Sequence, residues 1–295
     1  MLKYFFKILV ILVIFHLNAS FTIKRVNYEE ARYKNVCKNL AGDALVYYIF
    51  VDTKQTKPWT TFDIKSTIDS FEVALKWMRT QAEHNNIQLN IKSDYHVGEE
   101  FTTIRKNLPL NTIHESLTKP SLKKGTAELN DWADGIAKRA GATLNIPEND
   151  GLPDIRNPKN KERLIAYLRD RYQVESVALV LLVNNYFRND ISVALNTFDT
   201  EDVEFAIVSY KYPSEIAHSI LNLYGAADLY ESPFRRDNSK IELAKEKFPN
   251  DIMRDPYAKH IQDLNIGMFT KYLVGWTEKL PSEYQPLIKD KIINF

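Results

Sequence analysis

The run Ile216-Ala217-His218-Ser219-Ile220-Leu221-Asn222-Leu223-Tyr224-Gly225-Ala226-Ala227-Asp228-Leu229-Tyr230 carries an imidazole at His218, an amide at Asn222 and a carboxylate at Asp228. Its apolar residues Ile216, Ala217, Ile220, Leu221, Leu223 and Tyr224 recur with the period of a helix that buries one face. His218 and Asn222, four positions apart, stand one above the other on such a helix. Gly225 falls where a helix ends, because glycine enters the left-handed region without steric cost. An ordinary core helix accounts for these apolar positions, with His218 a buried, hydrogen-bonded histidine and Asp228 a turn residue. A metal-binding helix accounts for the polar positions as well, since side chains at i and i+4 reach a single ion.

The same fifteen residues resemble the catalytic helix of the metzincin-like zincin metallopeptidases, whose pattern is His-Glu-x-x-His-x-x-Gly-x-x-His/Asp. With His218 as first ligand, Gly225 falls on the turn glycine and Asp228 on the third ligand. Ser219 stands at the general-base glutamate position and Asn222 at the second histidine position. Ile216-Ala217, Ala226 and Leu229-Tyr230 are similar to the flanks of bacterial members. Downstream, Phe248-Pro249-Asn250-Asp251-Ile252-Met253 is similar to the methionine turn beneath the metal, with Met253 as its methionine. Ile266 to Trp276 looks like the closing helix. A second register, reading Glu215 to His218 as Glu-x-x-His, puts Leu221 at the turn glycine and Tyr224 at the third ligand, and is rejected. Glu215 is then a first-turn acid on a helix capped by Ser214.

The resemblance implies an α/β (α+β) fold with a zincin-like mixed sheet, an active-site helix, a methionine turn and a C-terminal helix. It also implies that the hydrolytic site is degenerate. A serine hydroxyl is no general base near neutral pH, and that loss alone costs roughly two to four powers of ten in rate. Asparagine offers a neutral oxygen, a poor zinc ligand beside imidazole. His218 and Asp228 remain as a vestigial or weak zinc pair, so no zinc or only weakly bound zinc is expected. The function so implied is that of a secreted pseudopeptidase that binds a peptide or protein. The alternative is an active zinc metallopeptidase with an atypical site that recruits His96, His260 or a carboxylate from elsewhere.

Upstream of this run, Ala44 to Val51 is a continuous apolar strand candidate, and Ile64 to His84 has helical periodicity through Ile68, Phe71, Ala74, Leu75 and Met78. Ile87 to Ile91 reads as a strand, Ala127 to Ala140 as a helix stopped by Gly141, and Arg163 to Tyr172 as a short charged helix. Ser176 to Val183, Ile191 to Asn196 and Val203 to Tyr210 read as strands. Asn145 to Asn160 carries three prolines and reads as a surface loop. Loose alternation of the two element types favours a partly parallel sheet. No linker divides the chain, so residues 21–295 are expected to form one domain.

At the N-terminus, Lys3 and Lys7 flank the apolar run Ile8 to Phe15, followed by His16-Leu17-Asn18-Ala19-Ser20. This order describes a secretory signal peptide over 1–20, cleaved near residue 20, or else an uncleaved anchor. The body is expected outside the cytosol, secreted or periplasmic, with no membrane contact beyond the export signal. Among 295 residues, 44% are hydrophobic, enough for a substantial core. A net charge of +1 argues against nucleic acid as partner. The single cysteine, Cys37, can form neither an internal disulfide nor a cysteine metal site. Other candidates are weaker: Asp94-x-His96 with Glu99 and Glu100, and the basic cluster Lys119 to Lys124, each read more simply as solvated loop, and His114-Glu115, with Thr118 where a second histidine would stand, reads as a chance dipeptide. Trp59, Trp77, Trp132 and Trp276 read as core.

Overall fold

The computed structural model describes residues 25–27, 37, 39–54, 56–97, 103–108, 122–147, 152, 155–184, 192–195, 203–209, 212–232, 237–257 and 259–291. The expected signal peptide, Glu99, Glu100, His114-Glu115 and the first part of the basic cluster lie outside them. In chain order the elements are β1 (Arg25–Asn27), β2 (Gly42–Asp52), α1 (Thr61–His84), β3 (Leu89–His96), β4 (Ile104–Arg105), α2 (Leu122–Thr143) and α3 (Asn160–Tyr172). There follow β5 (Ser176–Val183), β6 (Ser192–Leu195), β7 (Phe205–Val208), α4 (Pro213–Leu223), α5 (Asn238–Lys247), α6 (Met268–Leu273) and β8 (Lys289–Lys291). The fold is mixed α/β.

The main sheet runs β3-β2-β5-β7-β6, with the short β4 beside the end of β2. β3, β2, β5 and β7 are parallel, and β6 closes one edge antiparallel to β7. Alternation along the strands divides the core in two. Ala44, Val46, Tyr48 and Phe50 of β2, with Ala178, Val180 and Leu182 of β5, face a cluster that includes α1, α4 and α6. Leu45, Tyr47, Ile49 and Val51, with Leu179 and Leu181, face α2 and α3. β2 and β5 are therefore buried on both faces, which is why both read as unbroken apolar runs rather than as alternating ones. Each buried Leu, Ile or Phe contributes about 1.5–3 kcal/mol, so these two strands anchor the fold.

Several boundaries differ from the sequence reading. α2 begins at Leu122 and passes through Gly141 to Thr143, because the backbone of α2 continues to bond until Leu144 returns its N–H to Ala140. β3 starts at Leu89 and extends to His96, following the register of β2. The flanking strands contract to Ser192–Leu195 and Phe205–Val208. The closing helix shrinks to Met268–Leu273, bounded by Gly267 as N-cap and by Gly275 at φ 83°. The cap of α4 is Tyr212 with Pro213 in the first turn, not Ser214, since proline lacks the N–H that a cap would satisfy. Of the tryptophans, Trp77, Trp132 and Trp276 are buried, and Trp59 packs against the core's edge.

The last turns tie back to the segment just before β2. Leu40 donates its N–H to Val274 at 2.9 Å and accepts from the Trp276 indole at 2.6 Å. Nearby, the buried Cys37 thiol donates to the Val177 carbonyl at 3.2 Å, and burial pushes its pKa up. No described helix is long and apolar enough to cross a membrane.

Candidate functional site

Helix α4 is buried from Ser214 through Leu221 and packs against α1. It ends with glycine because the chain must reverse there. Gly225 adopts φ 92°, and the N–H groups of Ala226 and Gly225 return to the carbonyls of Leu221 and Asn222 at 3.0 Å each. This pair of bonds is a Schellman motif, which satisfies the last carbonyls and turns the chain sharply. The turn carries Asp228 back to the face of the helix that bears His218 and Asn222.

The three side chains meet. Nε2 of His218 lies 3.3 Å from Oδ1 of Asp228, and Nδ2 of Asn222 lies 3.0 Å from the former and 3.3 Å from the latter. His218 is almost fully buried, whereas Asp228 is 21% exposed, so one side of the cluster reaches solvent. On its other side, His218 Nδ1 stands 3.2 Å from the Ile252 carbonyl. A carbonyl only accepts, so Nδ1 carries a hydrogen in either charge state of the ring. With a neutral ring, the Nε2 lone pair accepts one amide hydrogen from Asn222 while the other amide hydrogen reaches Asp228. With a charged ring, Nε2–H donates to Asp228 directly. Burial pushes the His218 pKa down, but the Asp228 hydrogen bond and charge, joined by the buried Glu215, outweigh it and leave the pKa raised.

Beneath the imidazole, the segment 251–253 forms a clamped turn. The Met253 carbonyl accepts the Leu229 N–H at 2.8 Å, and Ile252 N–H donates to Asn265 at 3.0 Å. Met253 itself is fully buried. The clamp is Asp251: its carboxylate accepts from Met253 N–H at 2.8 Å, from Gly267 N–H at 2.9 Å and from the Thr270 hydroxyl at 2.8 Å. Burial raises the Asp251 pKa to about 6, while these bonds pull against the rise. Sequence reasoning missed Asp251 as a positioning residue, because its partners lie up to nineteen positions away. Glu215 is the first-turn acid that the sequence reading expected, and what that reading missed is its burial at 0% exposure. The apolar Ile216-Ala217 that follow it were the available signal.

The remaining candidates are not brought to this cluster. Asp94 and His96 pair in register with Tyr47 and Ile49, whose side chains face α2 and α3, so both lie across the sheet from α4. Asp94 accepts instead from the Tyr172 hydroxyl, and burial lowers the His96 pKa. His260 precedes the turn Ile261–Asp263, and the polar and ring partners of His218 among the described residues are Ile252, Asn222, Asp228 and Tyr230. Ser219 is buried one position further round the helix.

As a zinc cradle the cluster has suitable spacing and unsuitable donors. Ligands at about 2.0–2.1 Å from a tetrahedral ion stand about 3.3 Å apart, as do His218 and Asp228. Yet Asn222 turns an N–H donor toward both lone pairs, where a third ligand would offer an acceptor. Among the described residues no three His, Cys, Asp or Glu side chains converge. The residues present do not fit a resident zinc ion. Chemically, the site holds an imidazole and a carboxylate in fixed orientation, with their lone pairs already satisfied by an amide. Comparison with protein-family models, with curated proteins and with solved structures finds no match for the chain.

Proposed function

We propose that this chain is an exported, degenerate relative of the zincin metallopeptidases that binds a peptide or protein segment without hydrolysing it. The observation that carries this reading is the meeting of His218, Asn222 and Asp228 over the turn that contains Met253. Residues separated by a glycine turn converge in the order the catalytic pattern requires, while the base and one ligand are replaced. The amide hydrogens of Asn222 occupy the place where a cation would bridge the two ligands, so zinc is absent or weakly held. β6 supplies the means of binding. It is the last strand on its side of the sheet among the described residues, and such an edge accepts an extended peptide through backbone hydrogen bonds.

Restoring the missing groups tests the reading. The double variant Ser219→Glu, Asn222→His is expected to take up one equivalent of zinc and to cleave an unstructured protein such as casein. A double variant that keeps its circular dichroism yet takes up no zinc would sink the proposed descent. Binding is tested separately by hydrogen exchange: a peptide ligand selected from a library should slow exchange at residues 192–195, and unchanged rates there would refute strand addition.

A further inference from the structure

Away from His218, a cleft of about 540 Å³ opens at the carboxyl end of β2, lined in part by Asp52, Lys54, Arg105, Lys106 and Arg139. That volume suits a small molecule. Its place in the sheet is also favourable. β2 is the strand at which the order reverses, with its successor β3 on one side and β5 on the other. In open parallel sheets the crevice outside the carboxyl end of such a strand is where ligands bind.

Charge decides what kind of ligand fits. Four cationic side chains line the cleft with a single carboxylate, and that carboxylate is already engaged. Asp52 Oδ1 accepts the Trp59 N–H at 3.1 Å, Oδ2 accepts the Thr103 hydroxyl, and the backbone carbonyl accepts the Lys106 N–H at 2.9 Å. Asp52 ties the two walls of the cleft together through neutral donors, and its single charge leaves the lining with cations in excess. Among the described residues no acidic side chain forms an ion pair with Lys54, Arg105, Lys106 or Arg139. Partial burial and the neighbouring Arg139 both lower the Lys106 pKa, although Asp131 and Asp134 act the other way. Asp134 is itself held by Asn160 at 2.7 Å and by the Lys161 N–H at 3.0 Å. The Lys106 ammonium lies over Gly135, where a Cβ would overlap it in this position.

We propose that this cleft binds a phosphate group, either free or carried by a small organic ester. Guanidinium forks and ammonium point charges are the side chains that recognise phosphate, and a dianion with several oxygens engages more of them at once than a monocarboxylate does. The inference is independent of the reading of α4. Titration calorimetry on the full chain tests it, using inorganic phosphate, a sugar phosphate and acetate at matched ionic strength. Both phosphates are expected to bind at least about tenfold more tightly than acetate, and the Arg105→Gln, Lys106→Gln double variant to lose about tenfold or more. Equal affinity for the two phosphates identifies the free anion as ligand, and tighter binding of the ester identifies an organic phosphate. Lys54→Gln, at an exposed side chain, serves as a second probe and is expected to weaken phosphate binding while leaving the melting temperature unchanged. Phosphate binding no tighter than acetate, or undiminished in both folded variants, would overturn the proposal.

Discussion

At the end of α4, the imidazole of His218 faces the carboxylate of Asp228, an amide bridges the two, and a carbonyl fixes the ring from behind. At the end of β2, cationic groups gather around a single carboxylate that bonds the Trp59 N–H and the Thr103 hydroxyl. The first region is buried and its charges answer one another. The second is open and its charges do not. A buried charge must be matched within the fold or it costs several kcal/mol, whereas an exposed one is solvated and need not be. The contrast therefore separates a cluster that the fold requires from one that the fold merely tolerates. The tolerated one is free to serve a ligand.

Mutations test that separation. The largest effect is expected from Asp251→Ala, which strands two N–H groups and a hydroxyl in the core. It should destabilise the protein by about 3–5 kcal/mol in chemical denaturation, and a loss under about 1 kcal/mol would break the clamp argument. Asp228→Ala should cost about 1–3 kcal/mol and lower the His218 pKa, read from its ring proton signals by NMR. Gly225→Ala should cost about 1–2 kcal/mol, because an L side chain is strained at φ 92°. In the cleft, Arg105→Gln should change stability by no more than about 0.5 kcal/mol, and a large loss there would erase the contrast.

The pH dependence sharpens the same comparison. Asp251 has its pKa raised from 3.8 to about 6, so the folded state holds its proton more tightly than the unfolded chain does. The stability it contributes is complete below about pH 4 and is lost as pH rises through about 6. His218, also raised, contributes in full below its ordinary 6.5 and loses that contribution as pH rises through its folded value. Denaturation across the acid range should show this decline in the native chain and a shallower one in Asp251→Asn. Parallel curves would remove Asp251 as the source.

Much of the scaffold was legible because its signals are local. β2 and β5 announce themselves as continuous apolar runs, α1 by its period, and the end of α4 by one glycine. Helix spacing alone puts His218 and Asn222 on one face, and the arrival of Asp228 beside them is what the resemblance to a zincin helix implied. Asp251 could be read from neither. In sequence it is one acid in a loop, and its role depends on Gly267 and Thr270 arriving from α6. The cleft was hidden for the same reason. Lys54, Arg105 and Arg139 come from three separate segments, one of them a two-residue strand, and only the folded chain brings them together.

Cys37 has a practical consequence. Its thiol is sealed in the core, hydrogen-bonded to Val177 and held in its unreactive protonated form. An alkylating reagent or an oxidant reaches it only when strand β5 and the chain around it come apart. The rate of labelling at this thiol is thus a stopwatch for opening of the core around it, which shields it from oxidants while it stays closed.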